Sequence, residues 1–223
     1  MKNLDSFIKT GIVTDLLKAE EAYNVIKVIG ENSAKINDSE FDIKYSMAYF
    51  QKISINEFVM SLSRVFDNKS SKNKTRCLSL LIDELIRSPS SFPDVMEDYQ
   101  TIKQLELFGY NDTIIASLTS KNYNQFTKRL GMSFLTKYAN LKTEIETIKK
   151  WRDKTLAHND ESNSVTKIVF RDSERLIDFA WEIVTILGWA YLNTAYGFEG
   201  KNDLREDFQR KSNDLKTLIN RLF

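Results

Sequence analysis

Seven glycines and two prolines in 223 residues leave this chain little material for tight turns. A β-sandwich or barrel reverses direction every eight to twelve residues or so and needs turn chemistry at each reversal. Both prolines fall in one window, Ser88-Pro89-Ser90-Ser91-Phe92-Pro93. The expected fold class is therefore all-α, with one strong break near the middle. A hydrophobic content of 42% is enough for a packed core. At this length one domain over residues 1–223 is expected, with 88–120 as an inserted section and 203–223 as a C-terminal helix.

Helical spacing runs through most of the chain. Residues 4–35 carry Phe7, Ile8, Ile12, Leu16 and Leu17 on one side, continued by Ala22, Val25, Ile26 and Ile29. Ser39 to Phe66 reads as the next helix, capped by Ser39. Its buried stripe is Ile43, Met47, Phe50, Ile53, Phe58, Leu62, Val65 and Phe66. A polar connector follows, and then a helix over Lys74–Arg87. Asp94–Phe108 predicts a short helix, 109–112 a turn, and 113–118 is left unassigned. Tyr123–Ala157 is the longest pattern, with Phe126, Leu130, Phe134, Leu135, Tyr138, Leu141, Ile145 and Ile148 at steps of three and four. Val165–Phe170 suggests a short extended piece. Asp172 or Ser173 then caps a helix apolar around nearly its whole circumference, which places it in the bundle centre or at a subunit interface. Gly197 and Gly200 are expected to end it.

Charge is balanced overall at +1, so any basic surface is local. From Lys121 to Lys154 nine basic residues face three acidic ones, a local charge of +6 against about −5 for the remainder. Such a face is either simply solvated or turned toward an anionic partner. A single cysteine, Cys77, excludes an internal disulfide and suits a reducing compartment. Cys77 lies among apolar residues and is expected in the core. One His and one Cys, far apart, make a zinc site within one chain unexpected. No secretory signal is apparent, and the uncharged run Ile183–Phe198 is shorter than a membrane span. The expected location is cytoplasmic, with no membrane partner, no metal and no cofactor.

The chain's only histidine sits in Trp151-Arg152-Asp153-Lys154-Thr155-Leu156-Ala157-His158-Asn159-Asp160. Arg152 offers a fixed cation for phosphate oxygens, and His158 titrates near neutral pH. On a straight helix they lie about 120° apart, so one helix does not bring them together. No Gly-x-Ser-x-Gly elbow, Walker loop or dinucleotide fingerprint is present. A paired-carboxylate mechanism remains open on sequence grounds. Metal-free RNA cleavage fits the residue types: a base and an acid flank the phosphorus, and an arginine stabilises the phosphoryl oxygens. One histidine per chain supplies one proton-transfer role. A two-fold dimer would supply both, or Lys154 or Asp153 takes the second. The same residues have a plainer reading, in which His158 caps or packs a helix end.

The stretch Arg152-Asp153-Lys154-Thr155-Leu156-Ala157-His158 resembles the motif of the HEPN superfamily. It is most similar to the abortive-infection branch, where Arg-Asp-Lys and two residues precede Ala-His. Ser63-Arg64-Val65-Phe66-Asp67, with the polar connector and the apolar helix Cys77–Leu85, is similar to that branch's earlier helix pair. The likeness runs from about Phe41 to Leu192 and is weakest over 88–120. It implies an up-and-down helical bundle with long antiparallel helices, dimeric, with two motifs facing each other in a cleft. It implies a metal-independent endoribonuclease of a defence or toxin–antitoxin system. Arg152 and His158 would be its catalytic pair, with Asp153 orienting the site; beside the resemblance, the residues themselves offer Lys154 as a supporting group and Lys149 and Lys150, in the basic run, as RNA contacts. An antitoxin or defence-system protein would be a further partner.

Two departures from the family pattern bear on this. Asp160 stands where one toxin branch carries a tyrosine that a partner enzyme modifies. Asp153 stands where asparagine is common, and it can pair with Arg152 rather than leave it to phosphate. Other family members bind RNA or a nucleotide without catalysis. A helical adaptor in which Trp181, Trp189 and Tyr191 mediate self-association is the third reading.

Overall fold

A computed structural model describes residues 3–38, 43–68, 75–157, 170–196 and 203–222. The side chains of 154–157, 170–171, 203–209, 211–212 and 222 are excepted. No strand occurs among the described residues, as the shortage of turn residues requires. The fold is an all-α bundle. In chain order its helices are α1 (Leu4–Phe7), a π-helical turn (Ile8–Val13), α2 (Thr14–Glu31), α3 (Ser33–Asn37), α4 (Ile43–Val65) and α5 (Leu78–Arg87). A 3-10 turn (Pro89–Ser91) leads to α6 (Asp98–Leu107), α7 (Asp112–Thr119), α8 (Tyr123–Asn140), α9 (Lys142–Ala157), α10 (Phe170–Leu192) and α11 (Asp203–Leu222).

The long helices pack antiparallel in three pairs, each shown by its contacts. Arg64, late in α4, bridges Asp15, early in α2, at 3.0 Å, while Met47 packs near Val28 and Ile29 at the other end. Tyr23 and Glu20 of α2 bond Glu174 and Trp181 of α10. Thr127 and Lys137 of α8 bond Tyr191 and Glu182 of α10. Helix α10 thus lies between α2 and α8. From Leu176 to Tyr191 all its residues are buried except Asp178, Glu182 and Trp189. Of the two placements open to an all-apolar helix, it takes the bundle centre. Trp181 and Tyr191 are therefore core residues of this chain, which removes them from the self-association surface that an adaptor would use.

One apolar cluster gathers residues from Leu4 to Tyr196. Phe92, Val95, Leu105, Tyr110, Ile114 and Leu118 belong to it, so the 88–120 section contributes to the same core rather than lying over it. The unassigned 113–118 stretch forms most of α7, capped by the Asn111 side chain on the Ile114 amide. A smaller cluster joins Val28, Ile29, Ile36, Met47 and Ile219. Cys77 is buried, as expected.

Several expectations are corrected. The 123–157 pattern is two helices. Leu141 turns between them at φ −101° and ψ 12°, its amide bonding Tyr138 three residues back, and the Ile145 amide restarts the ladder on Leu141. Apolar spacing continues across this turn, so periodicity does not betray it. Helix α10 begins at Phe170, which puts Asp172 and Ser173 inside the helix instead of at its cap. It ends at Leu192, ahead of both glycines, because Asn193 adopts φ 45° and the Thr194 amide bonds the Gly188 carbonyl. Phe50, Ile53 and Leu135 are exposed, at 55%, 46% and 46%, although each continues an apolar stripe. Ser39, residues 158–164, residues 165–169 and both Gly197 and Gly200 lie outside the described residues.

Candidate functional site

Helix α9 carries the candidate residues on its last two turns. Leu141, Ile145 and Ile148 bury its apolar face, and partly buried Trp151 packs against the same core. That anchorage sets the rotation of the helix. Lys149 and Arg152, three residues apart, then share a side beside the buried stripe. Both reach the C-terminal end of α4.

Two consecutive residues receive them. Arg152 Nη1 lies 3.5 Å from Asp67 Oδ1, and Lys149 Nζ donates to Asn68 Oδ1 at 2.8 Å. Arg152 Nε also donates to Asp153 Oδ1 at 2.9 Å. Asp153 therefore pairs with Arg152, as its charge allowed. The Arg152 side chain is 28% exposed and Asp67 32%, whereas Asp153 is 64% exposed. The Asp67 pair is consequently less screened than the Asp153 pair.

The corner that presents Asp67 and Asn68 is held from several directions. Ser79 Oγ donates to the Asp67 carbonyl at 2.7 Å, and Tyr138 OH donates to the Phe66 carbonyl at 3.2 Å. The Asn68 amide donates to Asp67 Oδ1 at 2.9 Å, which aims the carboxylate. Phe66 is fully buried and stacks against Tyr138 with centroids 6.0 Å apart. Burial, with Cys77 and Asp67 adding to it, pushes the Tyr138 hydroxyl up to about 12, so it stays a donor at neutral pH. Burial also lowers the Lys149 ammonium below the ordinary lysine range. Asp67 opposes that shift and Arg152 reinforces it.

The expected site residues fall unequally. Arg152, Asp153 and Lys149 meet at one place. Lys150 is on the exposed side of α9. Lys154 is in the helix, with its side chain outside the description, and His158 lies outside the described residues. The basic run also divides. Lys137 binds Glu182 at 2.7 Å over the Tyr110 ring, half-buried where α8 meets α10. Lys128 and Arg129 line a groove of about 670 Å³ between α7 and α8. Among the described residues no three His, Cys, Asp or Glu side chains gather as a metal site.

The model of the HEPN AbiU2 family matches residues 2–221. The chain belongs to that family. It is a HEPN-type abortive-infection family, and the match covers the 88–120 section as well as the motif. No curated protein and no solved structure matches the chain. Among the described residues no helix is long and apolar enough to cross a membrane.

Asp67 and Asn68, which meet the candidate residues Arg152 and Lys149, had no role in the sequence reading. A signal existed: the Ser63–Asp67 stretch carried part of the likeness. It named no role, because nothing in local spacing shows that the end of α4 meets α9.

Proposed function

We propose that this HEPN AbiU2 protein is a metal-independent endoribonuclease acting in abortive infection. The observation that carries the reading is the Arg152–Lys149 pair, fixed at the end of α9 immediately before the motif histidine. In the reaction the 2′-hydroxyl loses its proton to a base while its oxygen bonds the adjacent phosphorus. The bond from phosphorus to the 5′-oxygen breaks, and an acid protonates that oxygen. The products are a 2′,3′-cyclic phosphate and a 5′-hydroxyl end. Arg152 stabilises charge on the phosphoryl oxygens. A guanidinium has five N–H donors, so phosphate binding does not require Asp67 and Asp153 to leave. His158 supplies one proton transfer per chain. A homodimer with facing motifs supplies the second histidine. The compartment is cytoplasmic, the substrate is RNA, and an antitoxin or another defence protein restrains the activity.

A second reading rests on the same cations: Arg152 and Lys149 would hold the phosphates of RNA or a nucleotide reversibly, without turnover. The test is incubation of the purified protein with total RNA in EDTA, beside His158→Ala and Arg152→Ala. Cleavage by the wild type alone, leaving cyclic phosphate ends, is the expected result. Salt-dependent binding without cleavage by any of the three would replace it with the binding module.

A further inference from the structure

We infer that Asp67 is a positioning residue for Arg152, and that Asn68 does the same for Lys149. The inference rests on the ribonuclease reading and adds an element to it, the corner at the end of α4. An arginine near a helix end has many rotamers. Asp153 alone leaves most of them accessible, because it is its neighbour on the same helix and is largely solvated. Asp67 comes from a different helix, on a backbone tied to Ser79 and Tyr138. An ion pair from a second element, at 3.5 Å, narrows the range of the guanidinium further than the Asp153 hydrogen bond does alone. Lys149, one turn earlier, is held by the next residue of the same corner.

Charge separates this role from phosphate binding. Asp67 places a negative charge beside the cations that RNA must meet, and it therefore weakens RNA affinity. What it adds is orientation, and misplacement of a reacting or stabilising group by about 1 Å costs on the order of 100-fold in rate. Binding and turnover then move in opposite directions when the charge is removed. A residue that merely holds the fold together would lower both.

The substitution Asp67→Asn suits the test. An amide oxygen still accepts the Asn68 N–H, and the Ser79 bond goes to the main-chain carbonyl, so the corner persists. RNA affinity is measured in the His158→Ala background across a salt series. The single-turnover cleavage rate is measured at saturating RNA with His158 present. Asp67→Asn is expected to tighten binding about 2- to 10-fold at low salt with a steeper salt slope, and to slow cleavage about 10-fold or more. Asp67→Glu should recover part of the rate at near wild-type affinity. Cleavage equal to or faster than wild type, or a parallel fall in both quantities, would overturn the positioning role alone. A wild type that cleaves no RNA would overturn the ribonuclease reading beneath it and the role with it.

Discussion

The Trp181 indole N–H donates to the Glu20 carboxylate at 2.5 Å, joining α10 to α2 inside the core. Both residues are buried, at 3% and 5% exposure. A carboxylate there stays tolerable only while donors surround it. Trp181→Phe retains most of the ring volume but deletes one donor. It should cost about 1–3 kcal/mol in urea unfolding. Glu20→Gln in the same background should cost less than the sum of the single changes, because the pair is coupled.

Two glycines should respond to alanine with opposite signs. A Cβ on Gly131 of α8 would stand 2.8 Å from Leu85 Cβ and 2.9 Å from Ile86 Cγ1 of α5. Gly131→Ala therefore forces the α5–α8 crossing apart and should destabilise by about 1–3 kcal/mol. A Cβ on Gly30 of α2 would meet nothing within 4 Å. Gly30→Ala should stabilise by about 0.5–1 kcal/mol through helix propensity. Thermal unfolding of the two variants against wild type decides both.

Alkali should unfold the protein through its tyrosines. Burial raises Tyr138 and Tyr196 to about 12 and holds Tyr23, Tyr110 and Tyr191 above the ordinary tyrosine range too. Each is an acid whose folded pKa exceeds the unfolded value of 10.0. Above that pH the unfolded chain releases protons that the folded chain keeps. The contribution is complete below pH 10 and is lost as pH rises through the folded values. Unfolding midpoints measured from neutral pH upward should hold level and then fall beyond about pH 10. Ionisation of these five buried tyrosines should coincide with loss of helix, and complete tyrosine ionisation with the helix retained would contradict the assignment.

The basic run should divide by function. Lys149→Gln should weaken RNA binding and reduce the salt slope by about one, as the loss of one phosphate contact requires. Lys137→Gln removes the cation beside Glu182 and should lower the unfolding midpoint instead, with the salt slope unchanged. Titration of a labelled RNA at several salt concentrations, beside urea unfolding, separates the two lysines. Equal effects on both quantities would remove the distinction.

The helical class was legible in the scarcity of glycine and proline and in the three- and four-residue spacing, because both are local properties of backbone and side chain. The Arg152 motif was legible for the same reason, as a short run of adjacent residues. The turn at Leu141 was not, because it keeps the apolar register that periodicity detects. Phe50, Ile53 and Leu135 continue apolar stripes, yet whether a stripe is covered depends on which helices lie against it. The sequence by itself determined that the chain forms helices, where most of them lie and which residues hold the motif, since capping, propensity and amphipathic spacing act within a few residues. Only the tertiary structure decided that Asp67 and Asn68 meet Arg152 and Lys149. That meeting depends on how α4 and α9 pack, and packing follows from the burial of many residues at once, with no local sequence signature.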